Sequence, residues 1–347
     1  MNRLSFILTF LFCVLISFRL IAQEPVFSQF YASALYLNPA LAGVESETYF
    51  GANYRSQWSS LSLPFNTFQA SFIQPVFNRG IRKKHLGGVG ASVLSDVAGP
   101  NKEFASQAIS LSAAWNVHLN DEGSHIVSFA VQGGVGQQRI NDSKLQWSSQ
   151  YSPVAGYDPS LPGETSMANM RVFRPIINSG VMWSYTTKKF LSHKTDVSFY
   201  HGFALSNLAR ANSYLAGSDG HRSMMFKSHG GFTAQVSKKL DISPNYLMVV
   251  EGVNRQLNIG SYAGYSLMNG RNATLDVKLI AGVWYRLHDG MIYSIGLATA
   301  KMNVGFSYDT NDSSMGKTFG YAGAYELSLA YRIPGRNNFR RISSPLI

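Results

Sequence analysis

Apolar and polar residues alternate along most of this chain in segments of roughly ten residues or a few more, the pattern of β-strands whose two faces meet different surroundings. The clearest segment is 109–119. There Ile109, Leu111, Ala113, Trp115, Val117 and Leu119 fall on one face, and Ser110, Ser112, Ala114, Asn116 and His118 on the other. The closing segment sets Tyr321, Tyr325, Leu327, Leu329, Tyr331 and Ile333 against Glu326, Ser328 and Arg332. Segment 275–287 places Val277, Leu279, Ala281, Val283 and Tyr285 outward, with Asp276, Lys278, Trp284 and Arg286 inward. The same reading predicts strands at 47–58, 66–77, 86–97, 103–119, 124–140, 175–187, 194–205, 224–240, 242–251, 256–267, 272–287, 290–299, 301–309 and 321–333. That is about fourteen strands, an even number, as single-chain bacterial outer-membrane barrels have. The fold expected is therefore all-β: a transmembrane antiparallel β-barrel with an apolar outer face and a polar lumen. A soluble β-sandwich or lipocalin-like barrel shares the alternation but accounts less well for the length and the outward aromatic rows.

The connections add a topology. With the chain starting on the periplasmic side, the long irregular stretches 141–174, 206–223 and 310–320 all fall outside, whereas the short 120–123 and 268–271 face the periplasm. Short periplasmic turns and longer external loops are the habit of such barrels. Both termini are then expected in the periplasm.

Before the first strand the alternation breaks. Phe27, Phe30, Tyr31, Ala34 and Leu35 repeat at helical spacing ahead of Asn38 and Pro39. Two readings stand: a plug or partner-binding element at the periplasmic mouth, using Phe27, Phe30, Tyr31, Asn38 and Pro39, or a helix that fills the lumen. Ahead of it, Arg3, an apolar run over 4–16 and Leu20-Ile21-Ala22 make 1–22 a secretory signal peptide cleaved after Ala22. The expected organisation is signal 1–22, periplasmic or plug segment 23–46, barrel 47–333 and basic periplasmic tail 334–347.

Composition agrees with a surface that meets lipid. Charged residues are 14% of the chain, against about 25% in a typical soluble domain. After the signal no apolar run approaches the ~20 residues of a membrane-spanning helix, which leaves the closed barrel as the way to pair every backbone group in hydrocarbon. The single cysteine, Cys13, lies in the signal, so disulfides and thiolate metal sites are excluded from the mature chain. It follows bulky Phe12 where a lipoprotein signal needs a small residue, so no lipid anchor is expected.

The net charge of +11 points to acidic partners or anionic lipid. Its scatter over strands and turns of an exported chain argues against nucleic acid. On the expected topology Arg79, Arg82, Lys83 and Lys84 share one periplasmic turn, Lys188, Lys189 and Lys194 flank the next, and Lys238, Lys239 and Arg271 lie on later ones. The tail adds Arg336, Arg340 and Arg341. They form either a cationic ring that docks an acidic partner or solvated residues at lipid head groups. The inward charges Arg55, Asp276, Lys278, Arg286, Glu326 and Arg332 are expected to pair inside the lumen as an internal ion network rather than a conduction filter.

No catalytic constellation emerges, so an enzyme, a cofactor and a metal are not expected. The histidines His85, His118, His193, His201 and His229 lack metal-ligand spacing, and there is neither a G-x-S-x-G elbow nor a phosphate loop. The runs Gly87-Gly88-Val89-Gly90 and Gly133-Gly134-Val135-Gly136 lie within strands, where glycine marks a bend or a close backbone approach. An embedded hydrolase with an outward Ser and His stays open.

Phe27-Ser28-Gln29-Phe30-Tyr31 and Leu37-Asn38-Pro39-Ala40-Leu41-Ala42-Gly43 resemble the mature start of the PorP/SprF family of Bacteroidetes type IX secretion system proteins. So do Tyr54-Arg55-Ser56-Gln57-Trp58, Gly87-Gly88-Val89-Gly90, Trp284-Tyr285-Arg286, Val304-Gly305-Phe306-Ser307-Tyr308-Asp309 and the closing Gly323-Ala324-Tyr325-Glu326-Leu327-Ser328-Leu329-Ala330-Tyr331-Arg332. Ala324-Tyr325 departs from the Ser-His expected there, and the tail 336–341 is an addition. The resemblance implies an outer-membrane component that links to periplasmic secretion components or retains a secreted cargo, such as an adhesin domain, at the cell surface. A passive transport channel is the competing function.

Overall fold

The computed structural model describes residues 25–59, 64–78, 84–120, 124–141, 145–152, 156–162, 171–186, 197–210, 222–237, 239–267, 277–312 and 323–333. Among these residues sixteen strands form. They are β1 (Thr48–Gln57), β2 (Phe65–Phe77), β3 (His85–Ala98), β4 (Phe104–His118), β5 (His125–Ile140), β6 (Tyr151–Ser152), β7 (Gly156–Tyr157) and β8 (Arg171–Thr186). Then come β9 (Val197–Ser206), β10 (Met225–Gln235), β11 (Leu240–Glu251), β12 (Asn254–Ser266), β13 (Lys278–Arg286), β14 (Gly290–Ala298), β15 (Met302–Asp309) and β16 (Ala324–Ile333). All but β6 and β7 join one closed barrel in which each strand pairs antiparallel with its neighbour and β1 with β16. The fourteen barrel strands are those the alternation predicts.

The alternation sets the two faces. On β4, Leu111 and Trp115 are 67% and 64% exposed on the outer wall, while Ser110, Ser112 and Asn116 are buried in the lumen. The closing strand behaves alike, with Tyr325, Leu327, Leu329, Tyr331 and Ile333 outward and Glu326 and Arg332 inward. An outer wall this apolar is stable only against hydrocarbon, and closure leaves no strand edge for lipid to strand unpaired.

Many strand ends shift by a few residues, those of β8 and of the β10–β11 turn among them. The β10–β11 turn falls at 236–239 rather than 241, because the Ser237 hydroxyl accepts the N–H groups of Lys239 and Leu240 and turns the chain there. Strand β8 starts at Arg171, before Pro175, whose ring stands on the outer wall.

The three longest connections, 141–170, 207–224 and 310–323, share one end of the barrel, here the loop end; β16 finishes at the other, the turn end. Strand β1 begins at that same turn end. Pro25–Gln29 lie inside the lumen, level with the loop-end termini of β13 and β15, and residues 30–46 descend to β1 at the turn end.

An arginine placed on the outer wall tests which side meets lipid. Leu111→Arg, near the middle of β4, should cost ~2–4 kcal/mol of unfolding free energy in bilayers, the range for a cation at mid-depth of a barrel's lipid face. A variant as stable as the parent in urea titration would mean that this wall does not face hydrocarbon.

Candidate functional site

The lumen is occupied by the segment that the alternation left out. It forms three short turns rather than one helix: a 3-10 turn at Phe30–Ala32, a single α turn at Ala34–Leu37 and a 3-10 turn at Pro39–Gly43. The breaks have local causes. Ser33 bends the chain, its hydroxyl donating to the Phe30 carbonyl at 2.8 Å. Asn38 is extended, as a residue before proline prefers to be. Phe27, Phe30, Tyr31, Asn38 and Pro39 are all buried, and Phe30 and Tyr31 pack with Leu35, Leu37 and Leu41 against wall residues including Tyr49, Ile73, Tyr200 and Trp284. The side chains expected to meet a partner are thus turned into the barrel's own interior.

Asn38 fastens the middle of the segment to the wall. Its Oδ1 accepts the Ala40 N–H at 2.9 Å and caps the 3-10 turn that Pro39 begins. Its Nδ2 lies 3.3 Å from the Val181 carbonyl, 3.2 Å from that of Phe203 and 3.1 Å from His229 Nε2. The wall admits the carboxamide because Gly180 and Gly202 line the notch. A Cβ on Gly180 would stand 2.0 Å from Asn38 Oδ1, and one on Gly202 2.7 Å from His229 Nε2. The Gly87–Gly90 run serves the same end, since Gly88 and Gly90 receive the Ala42 carbonyl and the Leu35 side chain.

The start of the segment sits on the seam where the barrel closes. Arg55 of β1 and Glu326 of β16 are direct cross-strand partners, with Nη1 to Oε2 at 3.5 Å. Glu326 accepts the Ser28 and Gln29 N–H groups at 2.7 and 3.1 Å and Asn53 Nδ2 at 2.9 Å. Gln29 in turn donates to the Glu326 carbonyl and accepts from the Ser328 hydroxyl. Beside this, Asp309 Oδ2 takes Arg55 Nη2 and Arg286 Nη2, each at 2.9 Å, and the Ser28 hydroxyl at 2.5 Å. Arg55, Asp309 and Glu326 are almost wholly enclosed. Enclosed charges of this kind are tolerable only when each meets an opposite charge or a directed donor.

Among the described residues the inward charges fall into three groups. Arg55, Arg286 and Glu326 join Asp309 at the seam. Arg332 pairs with Glu45 at 3.6 Å near the turn end, and Lys278 pairs with Asp241 at 2.8 Å in a half-exposed position. Asp276 lies outside the described residues. Asp309, Ser28, Gln29, Glu45 and Asp241 were missed. Asp309 had a signal, since it shares the inward face of β15 with Ser307. Of the cationic rim, Lys84 and Lys239 are exposed at the turn end, whereas Arg79, Arg82, Lys83, Lys188, Lys189, Lys194, Lys238, Arg271 and the tail arginines Arg336, Arg340 and Arg341 lie outside the described residues. The signal 1–22 does too. Among the described residues no group of three or more His, Cys, Asp or Glu gathers as a metal site.

Two substitutions separate these anchors. Asp309→Ala leaves Arg55 and Arg286 facing each other without their common carboxylate and should lower unfolding free energy by ~3–5 kcal/mol, the cost of breaking a buried ion pair from one side. Asn38→Asp keeps the cap oxygen but loses the donor to two wall carbonyls and should cost ~1–3 kcal/mol. Urea midpoints in detergent, with the heat-dependent gel shift as the fold assay, measure both. Parent-like midpoints would show that the segment is not anchored through these residues.

No curated protein matches the sequence. Among solved structures, a Pseudomonas aeruginosa FadL homologue is 13% identical, with 86% of this chain and 93% of that one covered at a TM-score of 0.41. The Pseudomonas putida toluene transporter TodX is 9% identical, with 86% and 93% covered at 0.46. The CymD monoaromatic hydrocarbon channel is 13% identical, with 88% and 94% covered at 0.44. The family described as type IX secretion system membrane protein PorP/SprF matches residues 20–331. With that match spanning the lumenal segment and every barrel strand but the last residues of β16, the chain belongs to the PorP/SprF family of type IX secretion membrane proteins and is an outer-membrane β-barrel.

Proposed function

We propose that this barrel serves type IX secretion as a sealed accessory that works from its two rims, retaining a secreted cargo such as an adhesin domain at the cell surface and meeting periplasmic components below, with no chemistry of its own. The observation that carries this reading is the occupied lumen. Most of residues 25–46 are buried in it, and the segment is hydrogen-bonded to β1, β4, β5, β8, β9, β10 and β16. Two cavities beside the segment hold about 50 Å³ each, room for a few waters, and another of about 180 Å³ lies at the loop end against Arg55, Arg286 and Asp309. A barrel filled in this way is suited to hold and orient rather than to conduct. Long loops outside and short turns in the periplasm give the orientation. The turn end then presents the cationic rim, including Lys84 and Lys239, to an acidic periplasmic surface.

In liposomes the purified barrel should give no conductance above the protein-free background, and a strain lacking it should release a surface protein into the medium. Regular conductance steps together with unchanged surface retention would establish the passive channel instead. The rim is tested by reversing Arg82, Lys83, Lys84, Lys188 and Lys189 to Glu together, since one exposed charge is worth only ~0–1 kcal/mol. Co-purification of periplasmic secretion components should fall at low salt and differ little from the parent at high salt, where exposed charges are screened. Unchanged recovery at low salt would remove electrostatic docking at this rim.

A further inference from the structure

The outer wall is not smooth. Between the exposed Ile109 of β4 and Leu119 just past its end, a groove of about 530 Å³ crosses β4, β5, β8 and β9. Its cause is a mismatch between two neighbouring cross-strand rows. In one row Ala113 and Ser179 flank Val131, so two of the three side chains are short. The next row toward the turn end carries Trp115, Phe129, Val181 and Phe203, whose outward side chains stand up as a ridge. Phe226 of β10 stacks on Phe203, with centroids 5.9 Å apart and planes inclined by 25°, and ends the groove on that side. Toward the loop end the following row sets Gly133 between Leu111 and Ile177, where a Cβ would meet nothing within 4 Å. The depression is thus open toward the loop end, and among the described residues that line it none is charged.

The same stretch of wall holds the lumenal segment from its other side. Gly180, which helps to line the groove, leaves the notch for the Asn38 carboxamide, and the Val181 and Phe203 carbonyls accept from Asn38 Nδ2. One layer of backbone separates groove from anchor.

We infer that the groove is a binding site for an acyl chain of a membrane lipid, and that a chain seated there braces from outside the wall to which Asn38 is fastened from inside. The surroundings fix the class of occupant. This wall meets the hydrocarbon of the outer membrane, and an unfilled groove in it would forfeit contacts along its floor and ridge. In hydrocarbon no hydrophobic drive favours one apolar contact over another, so van der Waals packing decides what stays. A chain lying against Trp115 and Phe129 is packed on several sides, whereas a chain on flat wall is packed on one. A membrane-spanning helix does not suit the groove: at ~10–12 Å across and ~5.4 Å per turn, about one turn of it would fill the volume.

The test starts from barrel purified out of its own membrane in a mild detergent and washed extensively. Mass spectrometry of the intact protein counts what stays bound, and the head group of the released lipid tells which leaflet supplied the chain. One lipid should remain on the parent and on Leu119→Phe, which adds bulk to the wall outside the groove. Ala113→Trp and Ser179→Phe fill the groove from different strands and should lose the lipid, with the gel shift confirming folded barrel. A parent that keeps no lipid, filled variants that keep as much as the parent, or a polypeptide bound where the lipid was expected would each overturn the site. The brace is read from urea midpoints taken with the lipid retained and after a harsher detergent has stripped it. Stripping should lower the midpoint of the parent and leave that of Asn38→Asp unchanged. No shift in the parent, or an equal shift in both, would show that the bound chain does not act on the anchor.

Discussion

Closure governs this molecule. In hydrocarbon every backbone donor and acceptor has to be paired within the protein, so β1 must meet β16 along its whole length, as it does from Thr48–Ile333 to Gln57–Ala324. The seam is where that pairing is made between the two ends of the chain, and there the sequence concentrates charge. Arg55 and Glu326 face each other across it, Asp309 on β15 and Arg286 on β13 brace it from one side, and Ser28 and Gln29 supply donors that neither strand provides. The lumenal segment is thereby a component of the closure as well as its contents. A barrel without it would enclose Glu326 short of two main-chain donors.

Filling the lumen has shaped the wall in turn. Glycines occur where the segment comes against the backbone, at Gly88, Gly90, Gly180 and Gly202, and small polar residues such as Ser71, Ser112 and Ser128 line the space around it. Asn116 shows the economy of the fit: its Nδ2 donates to the Gly43 carbonyl while its Oδ1 accepts from Ser128. The wall and the segment form one core, with apolar contacts in the middle and directed hydrogen bonds at each place where the backbone of the segment would otherwise be buried unpaired.

The barrel was legible in the sequence because its cause is local and periodic. Alternation on 109–119 or 321–333 is imposed by two solvents on two faces, and each strand repeats it. The interior was legible only in kind. Arg55, Arg286 and Glu326 could be placed in the lumen by parity, but partner choice depends on which strands lie side by side and on where residues 25–46 run, and neither has a periodic signal. Hence Arg332 went to Glu45 and Lys278 to Asp241. The helical spacing of Phe27, Phe30, Tyr31, Ala34 and Leu35 reported burial on one side, yet burial from all sides produces the same apolar residues, and the hydroxyl of Ser33 and the ring of Pro39 decided the path. The entry of the segment at the loop end had no signal in the sequence.

The path of that segment separates two quantities that a plug might be selected for, reach and bulk. Between Ser28, at the level of Arg55, and Glu45, beside Arg332, an extended chain would reach ~58 Å, whereas the strand between those levels, Arg55 down to Thr48, rises only ~23 Å. More than half of the contour is therefore taken up by coiling, in the turns at Phe30–Ala32, Ala34–Leu37 and Pro39–Gly43. The number of residues ahead of β1 is set by the cross-section of a fourteen-stranded cylinder rather than by its height, so a shorter segment would still bridge the two ends but would leave the bore empty.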